Sequence, residues 1–501
     1  MKINKISGIA VLPLLLAPAV QGAGRQNVIY MMTDQQSYYM ISAITNSLDP
    51  SHPYAGNNHF KTPNFDRLVK NGYTFSNCYA AHPVSGPSRF ALLTGESPNS
   101  VGMTGNFSPG GENREKIISL IKTRAMGTLF KNAGYQTYYG GKVHLAWANG
   151  EKQINDKPTL YGFDNYLTED DRAILSQKAA EFLETYNGKE PFLLFLSFMN
   201  PHDICMTQLL FSNKQLEDFE DLRDKPFSEA SLNWRSRINQ IAWRNVYNSI
   251  DKTRFESAEF ATFPANRDKT DRFPLKNSRE ALKLDDYNLR VHLWFYYRLV
   301  EQVDAEVGRV LDAIENSPYK DNTIIVFTSD HGEMAGSHGL TGKNVPYEEC
   351  QKIPLIFAGK GVKKGVIDNT TPVCNGWDML PTLLDMAGLK IPKELHGISL
   401  YKNMTTGKSL KRKYLYYETV NSFGVLENGK YKYTHFMSSK KIGDENEAMF
   451  DLEKDPGELH NLVFDESYMA KLNELRKVLA TEMKLRGTSF ESKDTSLESN
   501  E

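Results

Sequence analysis

The sequence predicts an α/β protein with a mainly parallel central sheet and helices on both faces, followed by a smaller C-terminal antiparallel sheet with a closing helix. Two observations predict it. Short apolar strand-like runs alternate with helical patterns through the first three-quarters of the 501 residues, and such alternation builds parallel sheets covered on both faces. After about Leu400 the texture changes to short tyrosine-rich segments.

The elements follow in order. Residues 27–33 are apolar and end in polar residues, as a buried strand does. Residues 62–71 read as a helix with Phe65, Leu68 and Val69 on one face. A short helix over 126–132 is closed by Gly134 and followed by a strand at 136–139. Residues 172–186 are amphipathic, and 192–198 form a strongly buried strand. A long helix over 289–316 leads into strands at 323–328 and 354–358. The charged, aromatic stretch 204–286 interrupts the alternation and holds Trp234, Arg235, Arg237 and Trp243. Beyond Leu400, strands are expected at 414–418, 424–426, 431–434 and 448–452, with Asn428-Gly429 as a hairpin turn. A helix over 466–485 closes the chain. In a doubly covered parallel sheet, active sites lie beyond the carboxyl ends of the strands.

Hydrophobic residues make up 40% and charged residues 24%, an ordinary globular balance. The formal charge of −2 shows no basic excess, which argues against a nucleic-acid partner. Four scattered cysteines (Cys78, Cys205, Cys350, Cys374) are too few for a disulfide framework. Lys2 and Lys5 precede an apolar run over 6–17, and small residues surround Gln21. This reads as a secretory signal peptide, since a membrane span needs roughly 20 apolar residues. The product is expected to be exported, periplasmic or secreted. The chain accordingly divides into a signal peptide (1–23), a main α/β domain (24–399), a C-terminal α+β subdomain (400–487) and a tail (488–501).

The most informative stretch is Ser85-Gly86-Pro87-Ser88-Arg89-Phe90-Ala91-Leu92-Leu93-Thr94-Gly95. Pro87 suits a first helical turn, and Phe90 to Leu93 can anchor the helix in a core. Ser85 and Arg89 are four apart, so both can face one pocket at the positive end of the helix. Read alone, the segment is equally a serine-capped helix with a surface arginine.

This block resembles the signature of the formylglycine-dependent sulfatases, a branch of the alkaline-phosphatase superfamily. Further blocks similar to that family occur in order: residues 31–36, 140–145, 200–203, 328–333 with Gly342-Lys343 and Tyr347-Glu348, 378–383, and 450–456. The resemblance implies an alkaline-phosphatase-like fold. It also implies that Ser85 is oxidised to formylglycine by a sulfatase-maturing enzyme of the serine type, and that one calcium ion is bound per chain. Its ligands would be Asp34, Gln35, Ser85 (as formylglycine), Asp330 and His331; oxygen donors suit such a hard cation. Two positions depart from the pattern. Gln35 stands where the family commonly has a second Asp, and His331 where it often has Asn.

Arg89, Lys142 and Lys343 supply fixed positive charge for a sulfuryl group, and one charge pair about 4 Å apart is worth roughly 4 kcal/mol at an effective dielectric of about 20. By the same resemblance, the hydrated aldehyde at position 85 attacks sulfur. His202, or Lys343, then protonates the leaving alcohol, and His144 assists release of sulfate. The implied substrate is a sulfated carbohydrate. Two alternatives stand beside it: a phosphodiesterase or phosphonate hydrolase of the same superfamily, and a non-catalytic sulfated-glycan-binding protein. His338, in the loop before Lys343, is read as structural.

Overall fold

A computed structural model describes residues 25–106, 109, 111–145, 158–169, 172–205, 249–259, 261–268, 284–410, 412–437 and 446–489. The leader expected at 1–23, most of the tail, and Trp234, Arg235, Arg237 and Trp243 lie outside the described residues.

The strands run in chain order as β1 (Asn27–Asp34), β2 (Gly72–Phe75), β3 (Cys78–Tyr79), β4 (Gln136–Gly141), β5 (Asn165–Tyr166), β6 (Phe192–Pro201), β7 (Thr323–Ser329), β8 (Leu355–Gly359), β9 (Val366–Asp368) and β10 (Val373–Cys374). Eight of them form one sheet in the order β5-β4-β6-β1-β7-β8-β2-β9. β1 is buried along its whole length and β6 nearly so, which is why both read as unbroken apolar runs. β1 pairs in parallel with β6 (Tyr30 opposite Phe195) and with β7 (Tyr30 opposite Val326). Side chains alternate across it: Val28, Tyr30 and Met32 enter one core, Ile29 and Met31 the other. An aromatic ladder ties the centre, with Phe195 stacked on Tyr30 at 4.8 Å and on Tyr139 at 5.0 Å.

Helices Ser85–Thr94, Met126–Asn132 and Asn375–Met386 cover the first face. Helices Pro63–Asn71, Ala173–Thr185 and Asp286–Asn316 cover the second. The last begins three residues before the expected 289 because the Asp285 side chain caps it, accepting from the Asn288 N–H at 2.8 Å. β8 runs antiparallel to β7, with Ile325 opposite Ala358. Only loops, a 3-10 turn at Ser337–Gly339 and the short helix Glu348–Gln351 join the two, and a parallel partner would need a full crossover. The expected elements appear otherwise within a few residues; the short strands β2, β3, β5, β9 and β10 and the helices Gly111–Arg124 and Asn375–Met386 were not anticipated.

Near the C-terminus, β11 (Tyr414–Glu418), β12 (Ser422–Glu427), β13 (Tyr431–Phe436) and β14 (Glu447–Asp451) make an antiparallel sheet in sequence order. Asn428 and Gly429 both adopt positive φ (52° and 73°), the geometry of a type I′ hairpin turn. Helix Met469–Leu485 packs Leu472, Leu475 and Leu479 on this sheet. The same apolar cluster includes Ala81, Ala91 and Trp377, and the Trp377 indole N–H donates to the Tyr416 carbonyl at 3.0 Å. The small sheet is thereby fastened against the helix that begins at Ser85. Among the described residues, no helix is long and apolar enough to cross a membrane.

Helices Ser85–Thr94 and Asn375–Met386 meet closely because Gly376 carries no side chain. A Cβ there would lie 2.4 Å from the Ala81 Cβ and 2.9 Å from the Ala91 Cβ. Gly376→Val is therefore expected to lose about 1–3 kcal/mol of stability by overpacking, read as a lower urea midpoint. An unchanged midpoint would show that this contact is loose.

Candidate active site

Strands β4, β6, β1 and β7 are consecutive neighbours in the sheet, and all four run in parallel. Their carboxyl ends therefore lie side by side, each carrying polar residues. Lys142 and His144 follow β4, His202 follows β6, Asp34 ends β1, and Asp330 and His331 follow β7. The local backbone is specialised for this. Gly141 has φ of 87°, and a Cβ on it would come within 2.2 Å of the Ser197 carbonyl oxygen, so only glycine lets β4 turn there. The register between β1 and β6 shifts just before Asp34. Gln35 then takes φ of 69°, and its N–H donates to Asp330 Oδ1 at 3.1 Å.

The Ser85–Thr94 helix starts at this edge, and all ten of its residues are buried. The Ser88 hydroxyl donates to the Asp330 carbonyl at 2.6 Å, fixing the first turn against β7. Asn106 accepts the Gly86 N–H at 2.8 Å. Ser85 Oγ then lies 3.3 Å from Asp34 Oδ2 and 3.1 Å from His331 Nε2. Arg89, one turn on, is 1% exposed and reaches both acids. Its Nη2 donates to Asp34 at 2.8 Å, its Nε to Asp330 at 3.0 Å, and its Nη1 to Ser197 Oγ at 2.6 Å. Lys142 Nζ makes a second ion pair with Asp34 at 2.5 Å.

The charges act on one another. Burial works against ionising Asp34, but Lys142, His202, Arg89 and Lys343 outweigh it and hold the carboxyl well below its ordinary range. Asp330 is driven the other way, to about 7, by burial and by the neighbouring Asp34 carboxylate. Burial and the cations Lys142 and Arg89 keep His144 neutral, its pKa well below the ordinary imidazole value. Burial with Lys142 and Lys343 does the same to His202. Lys142 is lowered by burial, against the pull of Asp34.

The structure thus brings Asp34, Ser85, Arg89, Lys142, His144, His202, Asp330, His331 and Lys343 into one electrostatic neighbourhood. Gln35 is present too, but its carboxamide oxygen accepts from Lys343 Nζ at 2.8 Å and from the Cys205 thiol at 3.3 Å. Its Nε2 donates to Glu333 at 2.6 Å. His338 stacks on Tyr347 with ring centroids 3.8 Å apart, away from these contacts. Ser197, Glu333 and Asn106 were not singled out from the sequence. Ser197 had left a signal, as the single polar residue in the run 192–198. Asn106 left none.

Three of the expected ligands suit a divalent cation. Ligand atoms of Asp34, Asp330 and His331 lie within 4.8 Å of one another. Asp34 Oδ1 is buried with no hydrogen-bond partner, a carboxylate oxygen that a cation would satisfy. Two carboxylates and an imidazole can hold such an ion, with the side chain at position 85 alongside.

Comparison with known proteins agrees with this geometry. Residues 26–389 match the Sulfatase family, and residues 336–485 match the C-terminal region of N-sulphoglucosamine sulphohydrolase. The chain belongs to the sulfatase family, within the alkaline-phosphatase superfamily, and is a sulfatase. It is 29% identical to the N-acetylglucosamine-6-O-sulfatase of Bacteroides thetaiotaomicron, over 96% of this chain and 90% of that protein. It is 29% identical to the Delta 4,5-hexuronate-2-O-sulfatase of the same organism, over 83% of this chain and 82% of that protein. A structure solved in complex with its substrate, D-glucosamine-2-N,6-O-disulfate, superimposes with a TM-score of 0.63 at 24% identity, covering 92% of this chain and 98% of the other.

A pH signature follows from His82, buried three residues before Ser85. Burial, with His331 nearby, holds its imidazole down to about 3. The unfolded chain takes up a proton below about pH 6.5 that the folded protein refuses, so stability is lost as pH falls from there toward 3. Relative to wild type, His82→Gln should gain about 2 kcal/mol between about pH 7 and about pH 5. Urea unfolding at the two pH values measures this, and a difference that does not change with pH contradicts it.

Proposed function

We propose that this sulfatase removes sulfate from a sulfated carbohydrate after export from the cell, using a formylglycine made from Ser85 and one bound calcium ion. The observation that carries the reading is the position of Ser85 Oγ, 3.3 Å from Asp34 and 3.1 Å from His331, beside the Arg89 and Lys142 cations that pair with the same Asp34. Two relatives named above act on sulfated sugars, which supports a carbohydrate substrate.

Asp34, Asp330 and His331 would hold the ion with the side chain at position 85, and Gln35 is at hand beside them. When bound, calcium and the formylglycine hydrate together supply a nucleophilic oxygen beside fixed positive charge. Arg89 holds Asp34 and Asp330 in place through a rigid guanidinium fork. Lys142 and Lys343 present ammonium groups to the sulfuryl oxygens and stabilise the charge that builds as the ester bond breaks. His202 donates the proton that the departing sugar hydroxyl needs. Its imidazole rests neutral among cations, and an arriving sulfate monoanion shifts it toward the protonated form. His144, also neutral at rest, accepts a proton as the second product, sulfate, is released. The net reaction consumes one water and yields an alcohol, sulfate and a proton.

Protein co-expressed with a serine-type maturing enzyme should release sulfate from one or more members of a panel of defined sulfated mono- and disaccharides. The peptide holding Ser85 should show an aldehyde by mass spectrometry. Release from an unconverted serine, or cleavage of a phosphodiester in preference to every sulfate ester, overturns the reading.

Asp34→Asn removes one formal charge from the ligand set, so calcium affinity should fall at least about tenfold by calorimetry. Sulfate release should fall with it. Unchanged calcium affinity would place the ion elsewhere.

A further inference from the structure

Glu333 takes no part in the chemistry above, yet it is wholly buried and its carboxylate is turned toward the site. One oxygen accepts Gln35 Nε2 at 2.6 Å. The other accepts the Gly342 N–H at 2.5 Å and the Ala335 N–H at 3.3 Å, with His292 Nε2 3.4 Å away. Gly342 is the residue before Lys343. Glu333 therefore touches the surroundings of Lys343 twice, through its main chain and through Gln35.

The chemistry of a carboxamide makes the second contact directional. The Glu333 oxygens accept hydrogen bonds here, so Glu333 engages the NH2 end of Gln35. That leaves the oxygen end for donors, and Lys343 Nζ donates to it at 2.8 Å. The backbone of Gln35 is fixed as well, since its N–H binds Asp330 and its carbonyl accepts the Tyr296 hydroxyl at 2.8 Å. An ammonium on a flexible four-carbon stem gains a defined position from such an anchor. An aspartate in place of Gln35 would repel Glu333 across the same contact.

We infer that Glu333 is a positioning residue: it fixes which way the Gln35 carboxamide faces, and through that carboxamide and the Gly342 N–H it holds the Lys343 ammonium at the sulfate site. The inference rests on the role proposed for Lys343.

A double-mutant cycle on calcium-loaded, formylglycine-converted enzyme tests it, using a sulfated saccharide cleaved in the panel. Lys343→Met should lower kcat/KM about 100-fold and Glu333→Gln about tenfold, mostly in kcat, since a misplaced group costs rate on this scale. The double variant should be no slower than Lys343→Met alone. Glu333→Gln should also weaken binding of inorganic sulfate several-fold while leaving calcium affinity within about threefold of wild type. Multiplicative losses in the double variant, or a fall in calcium affinity that tracks the fall in rate, overturn the inference and leave the sulfatase reading intact. A Lys343→Met enzyme as fast as wild type overturns both the inference and the role of Lys343, whereas the formylglycine reading is decided by Ser85 alone. Where Glu333→Gln does not fold, Glu333→Asp keeps the charge, falls short of the amide, and carries the same expectations.

Discussion

The site depends on one arrangement: the Asp34 carboxylate, wholly buried, compensated by two cations from different strands and helices. An uncompensated carboxylate at that depth would not stay ionised. Arg89 arrives from a helix and Lys142 from the end of β4, so the first pair requires that helix docked on the sheet and the second requires β4 in its place in the sheet. The negative charge that suits a cation and the positive charge that suits a sulfate ester are thus each a condition for the other. Buried ion pairs seldom add net stability over apolar packing. This one is better understood as the cost of presenting charge where water is scarce and each charge acts strongly.

Topology supplies the rest of the convergence. Four neighbouring parallel strands end at one edge, so residues more than a hundred positions apart in sequence come within hydrogen-bond reach without a long loop to place them. The antiparallel turn from β7 into β8 then returns the chain across the same edge, and that return carries Lys343. The segment joining β7 to β8 thus provides Asp330 and His331 at its start and Lys343 further along.

Much of this was legible in the sequence, for physical reasons that differ between elements. Strands such as 192–198 and 323–328 announce themselves because a strand buried on both faces must be apolar throughout. The hairpin at Asn428-Gly429 was legible because few residue pairs tolerate two positive φ angles. β2 and β9 were not, since strands of three or four residues carry too little pattern to separate from loop. The candidate residues could be named because the blocks holding them resemble the sulfatase signature, several of them at strand ends. Their partners could not all be named. Asn106 binds Gly86 through a contact no spacing encodes, and Ser197 matters only because β6 lies beside the path of Arg89.

Gln35 shows where reading residue types reaches its end. A carboxamide can ligate a cation with its oxygen or serve as a hydrogen-bond relay, and the sequence is the same in both cases. What separates the two is which neighbour claims the nitrogen, and that neighbour, Glu333, lies 298 residues away. With its nitrogen on Glu333 and its oxygen on Lys343, Gln35 carries no charge of its own into a cluster that already holds the carboxyl groups of Asp34, Asp330 and Glu333. An aspartate there would add a fourth carboxylate, between Asp330 and Glu333, where burial and Asp34 already push the Asp330 carboxyl up to about 7. The neutral side chain therefore fits a site whose other anions are closely packed, and it makes the placement of Lys343 a consequence of the same residue that spares the cluster that charge.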